Sequence, residues 1–145
     1  MERLLIASAL VVVSVLVAFV LGRRRPQPPT QGKVAVPSQL DRADFPDPER
    51  PWLVVVWTSA TCASCAKVVT QAQLLESPQV AYVEVPWQTQ PDLHQRYHVA
   101  DVPLLVLADG EGVVRLSFVG APDFTDLAGA VAAAREQDAA PGPNA

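Results

Sequence analysis

Cys62 and Cys65 are the only cysteines in the chain, and they stand three residues apart in Thr61-Cys62-Ala63-Ser64-Cys65-Ala66-Lys67. At helical i, i+3 spacing the two sulfurs share a face and lie close enough to close a disulfide. One sulfur can then attack a substrate disulfide, and the other can resolve the mixed disulfide that forms. Three plainer readings compete. A structural bridge closing so short a loop would constrain little of the unfolded chain. Half of a metal site is a second reading, but structural zinc normally takes four ligands. Two inert thiols are the third. His94 and His98, the only histidines, fall at i, i+4 with no further ligand pair, and they read as surface residues. Redox exchange is the favoured chemistry, with no metal site and no bound organic cofactor implied.

The flanking residues say how the cysteines are held. Trp52-Leu-Val-Val-Val-Trp57 is an apolar, β-branched run without polar alternation, as expected of a central strand buried on both faces. Trp52 and Trp57 accordingly read as core. After Cys65, apolar residues recur at helical intervals as far as Leu75. The expected helix runs from about Cys62 to Leu75, ended by Ser77-Pro78, with Cys62 in its first turn. A helix N-terminus carries partial positive charge and unpaired N–H groups, so a thiol there titrates below the free value of about 8.5. Lys67 adds a positive charge nearby.

Ala81–Val85 is the next expected strand, parallel to the first because a helical crossover joins them. Pro91–Tyr97 reads as a short helix. Pro103–Ala108 and Val113–Phe118 read as an antiparallel hairpin turning at Asp109-Gly110-Glu111-Gly112. Asp123–Arg135 reads as a closing helix with Phe124, Leu127 and Val131 on its apolar face. Before the first strand, Val34–Val36 suggests a short edge strand. Leu40–Phe45 suggests one helical turn, with Leu40 and Phe45 turned to the core.

The strand ending in Trp57, the cysteine five residues later and the segment Tyr97-His98-Val99-Ala100-Asp101-Val102-Pro103 together resemble the thioredoxin-like family. Gly120 matches the glycine that follows the family's last strand. The resemblance covers roughly residues 36–136. It implies an α/β thioredoxin-like fold, a central mixed β-sheet flanked by helices. Cys62 would be the exposed nucleophile and Cys65 the buried resolving thiol. Val102-Pro103 would be the cis-proline bond, with Thr61, Val102 and Pro103 lining a groove in which an extended substrate pairs with the Val102 backbone.

The chain departs from the family in several places. Val56 stands where many thioredoxins carry a buried aspartate, Thr61 replaces the tryptophan before the first cysteine, and Ala63-Ser64 separates the cysteines. Reduction potentials on this fold span roughly −270 to −120 mV, so the direction of exchange is open. Glu84 interrupts an otherwise apolar strand. Beneath the site, desolvation would raise its pKa and suit it to take the proton of Cys65; the alternative is an acid on the solvent face.

At 145 residues the chain has room for one domain plus appendages. Leu4–Leu21 is apolar except for Ser8 and Ser14, and as a helix would extend about 27 Å, near the thickness of a bilayer's hydrocarbon core. It ends in Gly22-Arg23-Arg24-Arg25, without the small-x-small site of a cleaved signal peptide. The expected layout is a transmembrane helix at 4–22, a basic, proline-rich linker at 23–35, the thioredoxin-like domain at 36–136 and a flexible tail at 137–145. Arg23–Arg25 favours the cytoplasmic face for the domain by the positive-inside rule, while the resemblance favours the extracytoplasmic face. From Val34 onward acids outnumber bases, against a nucleic-acid surface. The expected partners are protein thiols and disulfides, membrane lipid through the N-terminal helix, and an electron-donor protein or membrane carrier. The alternatives are a tethered protein delivering copper, zinc or a thiol cofactor, and a non-catalytic interaction module of the same fold.

Overall fold

The computed structural model describes residues 34–139. The expected transmembrane helix, the linker up to Lys33 and the end of the tail lie outside them. Among the described residues no helix is long and apolar enough to cross a membrane.

The uniformly apolar run forms β1 (Trp52–Thr58), every residue of which is buried. Strand β2 (Val80–Pro86) pairs with it in parallel, and β3 (Leu104–Asp109) pairs antiparallel on its other side. Strand β4 (Val114–Val119) then pairs antiparallel with β3, giving the mixed order β2-β1-β3-β4. The helices are α1 (Cys65–Gln73), α2 (Pro91–Arg96) and α3 (Phe124–Ala139).

Because successive strand residues face opposite ways, β1 divides its side chains between two cores. Leu53, Val55 and Trp57 point to the face covered by Leu40, Phe45, Leu93 and Tyr97. Trp52, Val54 and Val56 point to the face covered by Val68 and Ala72 of α1 and by Leu127 and Val131 of α3. Trp52 and Trp57 are core residues, as the pattern predicts. At the hairpin, Gly112 has φ of 83°, and a Cβ there would collide with the Leu40 carbonyl oxygen. That close approach carries a hydrogen bond of 2.8 Å from the Leu40 N–H to the Gly112 carbonyl.

Several expectations change. Val34–Val36 is not a strand; the segment meets the sheet through an isolated bridge between Gln39 and Val113. Pro37, which has no N–H to give a ladder, stands just before it. The helical turn before β1 is a short 3-10 helix, Arg42–Asp44, capped by the Asp41 carboxylate on the Ala43 N–H. Helix α3 runs past Arg135 to Ala139, so residues 137–139 are helical rather than tail. Its alanine-rich sequence favours propagation, and Asp138 pairs with Arg115 of β4 at 3.2 Å. Phe124, expected on the buried face, is 39% exposed at the first position of that helix.

Candidate active site

Strand β1 delivers the chain into a turn, Ser59–Ser64, that carries Cys62 to the start of α1. Cys62 and Cys65 are joined as a disulfide, with Cα atoms 5.5 Å apart. Cys65 is 5% exposed and Cys62 is only partly buried, so Cys62 is the more accessible of the two. The helix begins at Cys65, not at Cys62 as the periodicity predicts. The Cys62 N–H instead closes a turn on the Ser59 carbonyl at 3.0 Å, and the Cys65 N–H reaches the Cys62 carbonyl. The polar turn residues bond locally, and helical bonding starts only where Val68 and Ala72 can bury.

Gln88, in the loop after β2, ties this turn down. Its Oε1 accepts from the Ala60 N–H at 3.1 Å, and its Nε2 donates to Ser59 Oγ at 3.1 Å. The Trp87 N–H donates to the Thr58 carbonyl at 2.9 Å. Neither Trp87 nor Gln88 belongs to a motif that points to this role. Their one legible signal is a tryptophan set among polar loop residues.

Glu84 lies with both cysteines on one cavity of about 440 Å³, together with Thr58, Pro86 and Gln88. Its Oε1 accepts a 2.7 Å hydrogen bond from the Thr58 hydroxyl. In register it pairs with Val56, so it stands one strand over from the position of the family's buried acid. Glu84 is half-buried, and it faces this shared cavity. Two residues back, burial and then the charge of Glu84 push the Tyr82 phenol up to about 12.

The Val102–Pro103 peptide is cis, and the Pro103 carbonyl accepts from the Gly120 N–H at 2.9 Å. Neither the N–H nor the C=O of Val102 has a hydrogen-bond partner among the described residues. Thr61 and Val102 line a second cavity of about 430 Å³, with Ser59, Trp87, His94 and Ala100. Of the expected groove residues, Thr61 and Val102 are thus brought together, while Pro103 is buried and does not line this cavity.

His94 contradicts its expected surface position, being 2% exposed. Its Nε2 donates to the Val85 carbonyl at 2.9 Å, and Nδ1 lies 3.4 Å from the Val99 carbonyl. Its ring also meets Trp87 edge-on, with centroids 5.2 Å apart. Partners on two other elements compensate its burial. His98 is exposed, as expected, so the two histidines do not form a pair of ligands. Among the described residues no group of three or more His, Cys, Asp or Glu side chains is placed to hold a metal ion.

No protein-family model matches the chain, and no curated protein does. Among solved structures, a thioredoxin from Fasciola hepatica superposes with a TM-score of 0.50 at 22% identity, covering 58% of this chain and 81% of that one. The chain has a thioredoxin-like fold. A malarial protein superposes with a TM-score of 0.51 at 14% identity, covering 57% of this chain and 96% of its own. On this thioredoxin-like domain the disulfide follows the central strand, with the cis-proline bond immediately before the strand that pairs with it.

Proposed function

We propose that the protein is a thiol–disulfide oxidoreductase, cycling Cys62–Cys65 against thiols and disulfides of protein partners. One observation carries this reading: a disulfide between a partly exposed and a buried cysteine, on a cavity shared with a carboxylate. In the reducing direction the Cys62 thiolate attacks a partner disulfide, breaking its S–S bond and releasing one partner thiolate, which is then protonated. Cys65 gives its proton to Glu84 and attacks the Cys62 sulfur. The Cys62–Cys65 bond forms, and the second partner sulfur leaves, taking up a proton. Two electrons pass to the partner, and two partner thiols result. The oxidising direction is the reverse, from the disulfide state.

Thr58 holds the Glu84 carboxylate by its hydroxyl, and Thr61 and Val102, the latter set by its cis bond to Pro103, line the groove in which the partner chain lies. Electrons come from, or go to, another thiol protein or a membrane carrier. The apolar run at 4–22 tethers the domain, and Arg23–Arg25 favours its cytoplasmic face, with the extracytoplasmic face as the alternative.

A redox titration of the full chain in glutathione and dithiothreitol buffers tests this reading. The expected result is one reversible two-electron transition, abolished in Cys62→Ser. Absence of a reversible Cys62–Cys65 bond sinks it. A midpoint near −270 mV marks a reductant and one near −120 mV an oxidant, on the scale of roughly −270 to −120 mV known for this fold.

A further inference from the structure

Gln88 has an exposed side chain, yet both ends of its amide are bonded into the turn that carries Cys62. An exposed glutamine can meet its hydrogen-bonding needs in water, and fixing so long a side chain costs rotamer entropy. Two bonds to adjacent residues therefore need a firm base, and the backbone supplies one. The Trp87 N–H continues the β1–β2 ladder to the Thr58 carbonyl, and the Thr89 and Gln90 N–H groups both return to the Pro86 carbonyl. Ser59 passes the restraint along the turn. Its Oγ, which takes the Gln88 amide, lies 3.2 Å from Thr61 Oγ1 and accepts from the Thr61 N–H at 3.5 Å. Its carbonyl accepts from the Cys62 N–H at 3.0 Å. Gln88 thus reaches Cys62 through Ser59 and the turn, without a hydrogen bond to either sulfur.

We infer that Gln88 is a positioning residue that sets the redox equilibrium of the Cys62–Cys65 pair, by holding the turn in the form that brings the two sulfurs together. This rests on the oxidoreductase reading above. A disulfide closes only when its Cα atoms come within about 4.4–6.8 Å, and here they are 5.5 Å apart. Cys65 is placed by α1, whereas Cys62 precedes that helix and is placed by the turn alone. With the disulfide closed, the S–S bond itself restrains the turn; in the dithiol form only the hydrogen bonds do. A turn that is already fixed loses little freedom on closure, and so presents each thiol to the other at high effective concentration. A turn released from Gln88 loses more, which favours the dithiol. The reaction measured is oxidation of the Cys62 and Cys65 thiols by one glutathione disulfide. Two electrons and two protons pass to glutathione, giving the Cys62–Cys65 bond and two glutathione thiols.

The test titrates the full-length chain and its Gln88→Met form, which keeps the side-chain length without the amide, in glutathione buffers. The equilibrium constant for closing the disulfide is expected to fall about three- to tenfold, moving the midpoint about 15–30 mV toward less negative values. Ser59→Ala, which keeps the Ala60 bond, should give a smaller shift in the same direction. The double variant should shift by less than the sum of the two, because they share one bond. Urea unfolding gives the independent readout. Gln88→Met should destabilise the oxidised form more than the reduced form, by the factor found in the titration. An unchanged midpoint with equal destabilisation of both forms makes the clasp merely structural and overturns the inference, as does a shift toward more negative values. Should Gln88→Met fail to fold, Ser59→Ala decides by the same two measurements. If the unaltered chain shows no reversible Cys62–Cys65 bond, the oxidoreductase reading fails by itself. The role of Gln88 is then read from urea unfolding of Gln88→Met in the disulfide-bonded chain and in the Cys65→Ser chain: a larger loss with the disulfide upholds it, and equal losses remove it.

Discussion

At the scale of single residues, the polar groups that share a cavity with the disulfide are the ones whose substitution tests the proposed chemistry. Glu84 occupies a strand position beside Val56, and Thr58 fixes its orientation. In its proposed role as proton acceptor for Cys65, it should speed resolution of the mixed disulfide. Glu84→Gln is expected to slow that step by about tenfold or more near neutral pH, with loss of the pH dependence in stopped-flow traces. Thr58→Val, which releases the carboxylate without removing it, should give a smaller loss. Tyr82 makes a different prediction. The unfolded phenol ionises near 10, whereas in the fold burial and Glu84 hold it up to about 12. Between those values the unfolded chain releases a proton that the folded chain keeps, so stability falls as pH rises through that window. Tyr82→Phe should move the midpoint of alkaline unfolding, followed by circular dichroism, to higher pH. The two cysteines were legible because type and spacing sufficed. The burial of His94 was not, because its partners, the Val85 and Val99 carbonyls, come from a strand and a turn whose approach no local pattern encodes.

The turn at the end of α2 shows how an element holds the site. Tyr97 is the last residue with near-helical geometry, His98 takes φ of 54°, the Val99 N–H returns to the His94 carbonyl and the His98 N–H to the Gln95 carbonyl. This is a Schellman ending with histidine where glycine is usual. It swings the chain toward Ala100 and Val102, on the cavity wall. His98→Gly is expected to raise stability by about 0.5–1 kcal/mol by relieving the left-handed conformation. His98→Val should lower it, and thermal denaturation reads both. Gly112 is more demanding, since a side chain there meets backbone rather than a movable group. Gly112→Ala should cost at least about 2 kcal/mol in urea unfolding. Strand β1, helix α2 and the hairpin were legible because their periods and turn residues agree with their burial. Apolar periodicity places the start of α1 too early because it cannot tell a polar pre-helical turn from a first helical turn. Apolar periodicity ends helix α3 too early because the residues after Arg135, Glu136-Gln137-Asp138, are polar and exposed, leaving no apolar contrast.

Over the whole molecule, one buried cation joins parts of the chain that are distant in sequence. Arg42 is 8% exposed and donates to three carbonyls: Arg50 and Asp109 at 3.0 Å and Asp47 at 3.1 Å. Burial lowers its pKa below the usual guanidinium value, while Asp109 and then Glu49 oppose that shift. The residue fastens the segment before β1 to the base of the β3–β4 hairpin. Arg42→Ala leaves these acceptors without their donor and is expected to cost about 2–4 kcal/mol by chemical denaturation. Arg42→Lys should recover only part, because a single ammonium cannot reproduce the planar fork. The sequence offers no sign of this role: an arginine in a polar, acidic stretch reads as surface.

The placement of β1 between two paired strands and two covered faces has a further consequence for isotope labelling. Its amides should exchange with heavy water only through global unfolding, whereas those of the turn carrying Cys62 exchange through local opening. Labelling followed by mass spectrometry should find a slow and a fast zone meeting at Thr58–Ser59. The sulfurs then make and break their bond at the rim of the least yielding part of the fold. Slow exchange in Val54–Trp57 should be the same for oxidised and reduced protein, while the turn records the change of state.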